Sequence, residues 1–160
     1  GPELLARPTD YTLQANFMWT ATLALNGLIG AGVPQDWATH MIGHEITALH
    51  GLDHAQTLAI VLPSIMQEQR DSKHKKLLQY AERVWQITDG DETSRIDQAI
   101  DKTRSFFEQM GVKTRLSDYQ ISAAAIPAMI QQLGEHGLSQ LGEHGDVDLD
   151  KSRRVLEASL

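Results

Sequence analysis

The chain has 160 residues, 41% of them hydrophobic, which suffices for one compact domain with a core, so we treat residues 1–160 as a single domain. Its 14 Lys and Arg against 21 Asp and Glu give a formal net charge of -7, which disfavours a nucleic-acid partner. The chain has no cysteine, so disulfides, thiolate metal sites and thiol nucleophiles are excluded. Any metal must therefore be bound through nitrogen and oxygen.

The longest apolar stretches, around residues 21–33 and 57–66, are too short and too interrupted to span a bilayer. The first residues do not form a basic segment followed by an apolar one, as a secretion signal would. We therefore expect a soluble, cytoplasmic protein that does not associate with a membrane.

Apolar residues recur every three or four positions along most of the chain, and no alternating β-branched run is long enough to predict a sheet. The predicted fold class is all-α, a multi-helix bundle. The first long helix covers residues 10–29 and is apolar on nearly all sides, which predicts that it is buried at the centre of the bundle.

Polar caps and glycines divide the following segment into two helices. Asp36 and Asp53 are well placed as N-caps, and Gly51 breaks the chain between them. The helices predicted after the first one cover residues 37–49, 55–70, 73–87, 91–110, 122–133 and 150–160.

The pentapeptide Leu-Gly-Glu-His-Gly occurs twice, at residues 133–137 and 141–145. Two copies eight residues apart fall far short of a repeat architecture, so we interpret the duplication as a coincidence.

Four of the seven histidines, His40, His44, His50 and His54, lie within fifteen residues. Imidazole is the commonest metal ligand and titrates near neutral pH. This density favours a metal or catalytic site over four separate structural histidines. His40 and His44, one helical turn apart, share a face and are the pair that geometry alone selects as ligands.

Signatures of two known metallohydrolase types do not fit. A zincin helix needs Glu directly after its first histidine, where this chain has Met41, and the inverted form needs Glu where it has Gly43. Phosphohydrolases of the HD type need His followed by Asp, whereas Asp53 precedes His54 here.

Two hypotheses unrelated to either signature remain open. One is a self-contained helical metal-dependent hydrolase whose ligands include acidic residues such as Glu45 and Asp53. The other is a non-catalytic helical interaction module, which would be favoured if His40 and His54 lay far apart in space.

A third hypothesis comes from the continuous segment 36–54 and the apolar run 58–63 that follows it. With the Ala-Leu-Asn-Gly of residues 24–27, this segment resembles the metal signature of iron-containing (group III) alcohol dehydrogenases. The resemblance is to their butanol dehydrogenase and NADPH-dependent aldehyde reductase branch. It implies the all-helical, dehydroquinate synthase-like C-terminal metal-binding domain of that family.

Carried over residue by residue, the resemblance makes His40 and His54 the metal ligands, which replaces the pair chosen on geometry. It places His44 beside the nicotinamide as a catalytic proton relay. Asn26 and Trp37 become candidate cofactor-binding residues, and His50 receives no role. Two positions depart from the family pattern: residue 43 is Gly where many relatives carry Glu, and residue 55 is Ala where many carry Gly.

In that family two further metal ligands and the glycine-rich loop for the cofactor precede this region. The chain has no Gly-x-Gly-x-x-Gly between a strand and a helix, so we expect an N-terminal dinucleotide-binding domain to be missing. The implied cofactors are zinc or iron and NADPH. The implied partners are a small aldehyde or alcohol substrate, the missing N-terminal half and further copies in a homo-oligomer. The chain alone is expected to be inactive.

Overall fold

The computed structural model describes all residues from 1 to 160 and confirms the all-α class. Eight helices and one two-stranded antiparallel sheet make up the regular structure. They are α1 (Pro2–Ala6), α2 (Tyr11–Leu25), α3 (Ala38–His50), α4 (His54–Glu68), α5 (His74–Trp85), α6 (Glu92–Gln109), α7 (Ile126–Glu135), β1 (Gln140–Leu141), β2 (Val147–Asp148) and α8 (Leu149–Ala158). None of these helices is both long and apolar enough to cross a membrane. The chain divides into two compact units, residues 1–35 and 36–160, which are described separately.

The first unit is built on α2. Asp10 caps this helix, because its side chain accepts hydrogen bonds from the backbone of Thr12 and Leu13 at 3.0 and 3.2 Å. The helix stops at Leu25, four residues before the predicted end. Gly27 adopts the left-handed conformation with φ of +86°, so the chain turns and continues only as a short 3-10 turn.

No residue of α2 is buried in this chain. The consecutive residues Phe17, Met18 and Trp19 are 59%, 70% and 63% exposed. The prediction that this helix forms the buried centre of the bundle is therefore wrong for this chain. The physical reason is that an apolar pattern predicts that a surface becomes buried without identifying what buries it.

The second unit begins with the packed pair α3 and α4. The side chain of Asp36 accepts a hydrogen bond from the backbone N–H of Ala38 at 2.7 Å, which fixes the first turn of α3. Gly51 ends α3 in the left-handed conformation with φ of +70°. Asp53 then starts α4, and its backbone N–H donates to Gln56 Oε1 at 3.0 Å. These boundaries lie within two residues of the predicted ones.

Helices α7 and α8 complete a common core with α3 and α4, while α5 and α6 pack as a second pair. The fully buried members of the common core include Ile42, Ile46, Ile60, Met129, Leu133 and Leu156. The sheet was not predicted. It consists of only two residue pairs, Gln140 with Asp148 and Leu141 with Val147, which is too short to give an alternating pattern in the sequence.

Candidate metal centre

Three imidazole rings meet where α3 and α4 pack together. The ring centre of His40 lies 5.1 Å from that of His54 and 6.3 Å from that of His44. The rings of His44 and His54 are 5.4 Å apart. The fourth histidine of the sequence cluster, His50, is the last residue of α3 and is exposed. The structure thus brings together the two residues that the family resemblance names as ligands, with His44 beside them.

The local sequence explains why histidines fourteen residues apart can meet. Gly51 reverses the chain between the two helices, so α4 returns alongside α3. The helices pack tightly at Gly43, where a Cβ atom would lie 2.9 Å from the hydroxyl oxygen of Thr57. Thr57 lies one turn beyond His54, and Gly43 lies one turn beyond His40. Glycine at this contact therefore lets the histidine-bearing turns approach each other.

The surroundings of His40 favour its neutral form. Burial lowers the pKa of His40, and the nearby rings of His54 and His44 lower it further because each would repel a second positive charge. A neutral imidazole is the form that binds metal. His40 is half-buried, whereas His44 and His54 are exposed, so one side of the cluster is open in this chain.

The two candidate cofactor residues lie in different units. Trp37 immediately precedes α3, is 43% exposed, and packs its ring edge against His40 with the ring centres 4.9 Å apart. Asn26 follows α2 in the first unit, where its side-chain oxygen accepts a hydrogen bond from the backbone of Leu28 at 3.0 Å. Trp37 is thus an immediate neighbour of the cluster, and Asn26 has a local role in ending its helix.

Neither acidic residue considered as a ligand is available in the way the hydrolase hypothesis requires. Glu45 is buried, and one of its carboxylate oxygens is 2.8 Å from Nδ1 of His136 on the segment after α7. Asp53 is the N-cap of α4. The chain contains no group of three or more His, Asp or Glu side chains arranged to hold a metal ion. The converging imidazoles fit a divalent metal in the type of donor, but they are not arranged as a complete set of ligands.

The contact between Glu45 and His136, which are 91 residues apart, was not predicted from the sequence. Neither was the role of Lys73, whose ammonium group binds Asp36 and Glu143. No local pattern marks such pairs, because only the packing of distant helices brings them together. The single sequence signal was the duplicated pentapeptide, which contains both His136 and Glu143.

The fold agrees with a comparison against family models. Residues 2–141 match the model of the Fe-containing alcohol dehydrogenase family, C-terminal. The chain belongs to this family, and it corresponds to the C-terminal, helical part of its members.

The chain is also similar to individual proteins of this family. It is 64% identical to the NADPH-dependent aldehyde reductase YqhD of Escherichia coli K12 over 99% of this chain and 41% of that protein. A crystal structure of E. coli YqhD superposes with a TM-score of 0.98 over the same shares of the two chains. NADH-dependent butanol dehydrogenase A of Thermotoga maritima is 25% identical, with a TM-score of 0.91 over 98% of this chain and 41% of that one. The chain thus spans about two fifths of the length of these relatives.

Proposed function

We propose that this chain is the metal-binding part of an oxidoreductase that transfers a hydride between NADPH and aldehydes or primary alcohols. The observation that carries the proposal is the meeting of His40, His44 and His54 from two helices at one open surface. The 64% identity to an NADPH-dependent aldehyde reductase supports the cofactor and the substrate class.

His40 and His54 would hold the metal, either zinc or iron, since imidazole nitrogen suits both. A divalent metal bound there supplies Lewis acidity toward the carbonyl oxygen of an aldehyde. Burial lowers the pKa of His40, which favours the neutral ring whose nitrogen lone pair can bind a metal. Catalytic sites of this kind use about three protein ligands, so the remaining ligands would come from outside this chain.

His44 would act as the proton donor of the reaction. It lies one turn beyond His40 on α3, and its ring is exposed beside the other two. An imidazole can act as a general acid and deliver a proton to the substrate oxygen as the alcohol forms. A residue in this position acts on the reacting oxygen without being needed to hold the metal.

Trp37 and Asn26 would border the nicotinamide. The indole of Trp37 has an edge on His40 and remains 43% exposed, which leaves an apolar surface next to the cluster for a flat ring. Asn26 carries a side-chain amide at the end of α2, and amides of this kind bind polar groups of cofactors.

The principal partner would be an N-terminal half of the same protein, which would carry the phosphate-binding loop and the additional metal ligands. The exposed apolar residues of unit 1–35 support this partner, because patches of this kind mark surfaces that are covered in a complete protein. A groove on this unit, of about 880 Å³, is lined by apolar residues that include Leu4, Phe17 and Met18. The complete protein would assemble as a homo-oligomer.

The structure does not favour the two other hypotheses. A self-contained hydrolase would need a carboxylate among the imidazoles, yet Glu45 is bound to His136 and Asp53 caps a helix. The interaction-module hypothesis would be favoured if His40 and His54 lay far apart. Their ring centres are only 5.1 Å apart.

The proposal is tested by steady-state oxidation of NADPH with a short-chain aldehyde, run on the full-length protein beside metal analysis of the same sample. We expect turnover that depends on bound zinc or iron. Absence of turnover in a protein with stoichiometric metal would reject the reaction, and absence of metal at His40 and His54 would reject the site.

A further inference from the structure

The two copies of Leu-Gly-Glu-His-Gly adopt different conformations and contact different parts of the molecule. The first copy forms the end of α7, with Gly137 in the left-handed conformation at φ of +74°. The second copy starts in β1 at Leu141 and continues as a turn in which Gly142 has φ of +85°. The copies are therefore not a structural repeat. His136 of the first copy contacts α3 directly, whereas Glu143 of the second copy contacts Lys73, which binds Asp36 just before α3.

The first copy contacts the middle of α3 through His136. Its Nδ1 lies 2.8 Å from Oε1 of Glu45, whose side chain is only 4% exposed. The second carboxylate oxygen of Glu45 is buried and has no hydrogen-bond partner. Burying a carboxylate destabilises a protein unless the carboxylate has a partner. His136 is the partner that offsets this cost for Glu45.

The second copy contacts the start of α3 through Lys73. The ammonium group of Lys73 binds Oε2 of Glu143 at 2.6 Å and also binds the carboxylate of Asp36. The other oxygen of Asp36 accepts the hydrogen bond from the backbone of Ala38 that opens the helix. All three charged side chains are between 21% and 24% exposed, so the network is partly shielded from solvent.

The ionisation of this network agrees with its geometry. Burial by itself would lower the pKa of Lys73, but the hydrogen bonds to Asp36 and Glu143 outweigh this effect and raise it. Burial would likewise raise the pKa of Glu143, yet the hydrogen bond from Lys73 brings it below the ordinary value for a glutamate. Both shifts favour the charged forms of Lys73 and Glu143 at neutral pH.

We propose that Lys73 and Glu143 are positioning residues for the histidine cluster, which hold the first turn of α3 through Asp36. Asp36 is four residues before His40 and one before Trp37, so a shift of the first turn displaces both rings. The contact of Glu45 with His136 fixes α3 five residues beyond His40. Between these two anchors, α3 is held in one position relative to His54 on α4.

This inference rests on the proposed function only for its effect on metal binding. The effect on the helix itself is independent of any metal. The experiment therefore has two measurements, one on the metal-free protein and one with zinc as the probe, and both use the full-length protein.

The test variant is Lys73→Met, which removes the ammonium group and keeps most of the apolar stem. The rescue variant is Lys73→Arg, which keeps the charge. The matched control is Arg154→Met, because Arg154 forms a comparable ion pair with Glu68 at 2.6 Å, on α8 and away from the start of α3. If Lys73→Met does not fold, Glu143→Gln replaces it, since it leaves Lys73 paired with Asp36.

In the metal-free protein we measure backbone amide exchange by mass spectrometry. Lys73→Met should speed exchange in the first turn of α3 by at least tenfold, whereas Arg154→Met should leave that turn unchanged. Lys73→Arg should restore slow exchange. An unchanged exchange rate at residues 38–41 in Lys73→Met would overturn the positioning role.

In the second measurement, zinc affinity is determined by competition with a chromophoric chelator. We expect the dissociation constant of Lys73→Met to rise about tenfold, as is typical when a group behind a ligand is lost, and that of Arg154→Met to change less than twofold. Equal zinc affinity in Lys73→Met and wild type would overturn the link between the network and the metal site. If His54→Ala leaves zinc affinity unchanged, the proposed function fails instead, and the exchange measurement still decides the positioning role.

Discussion

Gly43 on α3 lies so close to Thr57 on α4 that a Cβ atom at residue 43 would be 2.9 Å from Oγ1 of the threonine. Both residues are buried, and Thr57 Oγ1 also donates a hydrogen bond to the carbonyl of His54 at 2.9 Å. The spacing of the two helices at the histidine cluster thus depends on the absence of a side chain at one position.

We predict that Gly43→Ala lowers the free energy of unfolding. Strain from overpacking costs about 1–3 kcal/mol, which exceeds the gain of about 1 kcal/mol from replacing glycine by alanine in a helix. Urea denaturation of wild type and variant measures the difference. The matched control is Gly134→Ala on α7, where a Cβ atom would make an ordinary contact at 3.6 Å with Leu149, so no loss is expected. Equal stability of Gly43→Ala and wild type would contradict the tight contact.

We predict different effects of substituting His44 and His54 in the full-length protein. His54→Ala should lose bound metal, because it removes a proposed ligand, while His44→Ala should keep the metal and lower turnover by about 10²- to 10⁴-fold. Metal content and NADPH oxidation are measured on the same preparations. His50→Ala serves as the control and should change neither quantity, since His50 is exposed at the end of α3. A metal-free His44→Ala protein would show that His44 is itself a ligand.

We predict that the 160-residue chain alone does not reduce aldehydes with NADPH and binds zinc weakly. It offers no group of three side chains arranged to hold a metal ion and no phosphate-binding loop for the cofactor. It should still fold, because residues 36–160 bury a common hydrophobic core among their own helices. Zinc titration, circular dichroism and an NADPH assay test the three statements. Robust turnover in a preparation whose mass matches this chain would be incompatible with a partial active site.

We predict that the ion pair of Lys73 and Glu143 stabilises the protein at neutral pH and not in acid. The folded pKa of Glu143 is lowered, so its contribution is complete above the ordinary glutamate pKa of about 4.3 and is lost as the pH falls through the folded value. The folded pKa of Lys73 is raised, so its contribution is complete below about 10.4 and is lost at higher pH.

Urea denaturation at pH 7 and at pH 3 tests this prediction on wild type and Lys73→Met. At pH 7 the variant should be less stable by about 1–2 kcal/mol, and the difference should become smaller at pH 3. A difference of the same size at both pH values would show that Lys73 contributes through packing of its stem and not through its charge.

The sequence predicts the helices of this chain well because their ends carry local chemical signals. Asp10, Asp36 and Asp53 each begin a helix close to the predicted position, and Gly51 ends one. The prediction of helix 10–29 was too long, because Asn26 and Gly27 end the helix within a segment that is apolar throughout.

The sequence identified the histidines of the candidate site, but it did not show how they are arranged in space. Helical geometry alone favoured His40 with His44, since a sequence reveals spacing along one helix but not the packing of two. The ring centres of His40 and His54 are nevertheless closer than those of His40 and His44. Only the resemblance to a family carried this information, and the roles of the individual histidines stay predictions until the variants are measured.

Successive side chains on a helix point about 100° apart, so Phe17, Met18 and Trp19 together face more than half of the circumference of α2. A single flat surface can contact only one side of a helix and would leave at least one of these three residues in water. A surface that covered all three residues would have to enclose the helix from two sides or more.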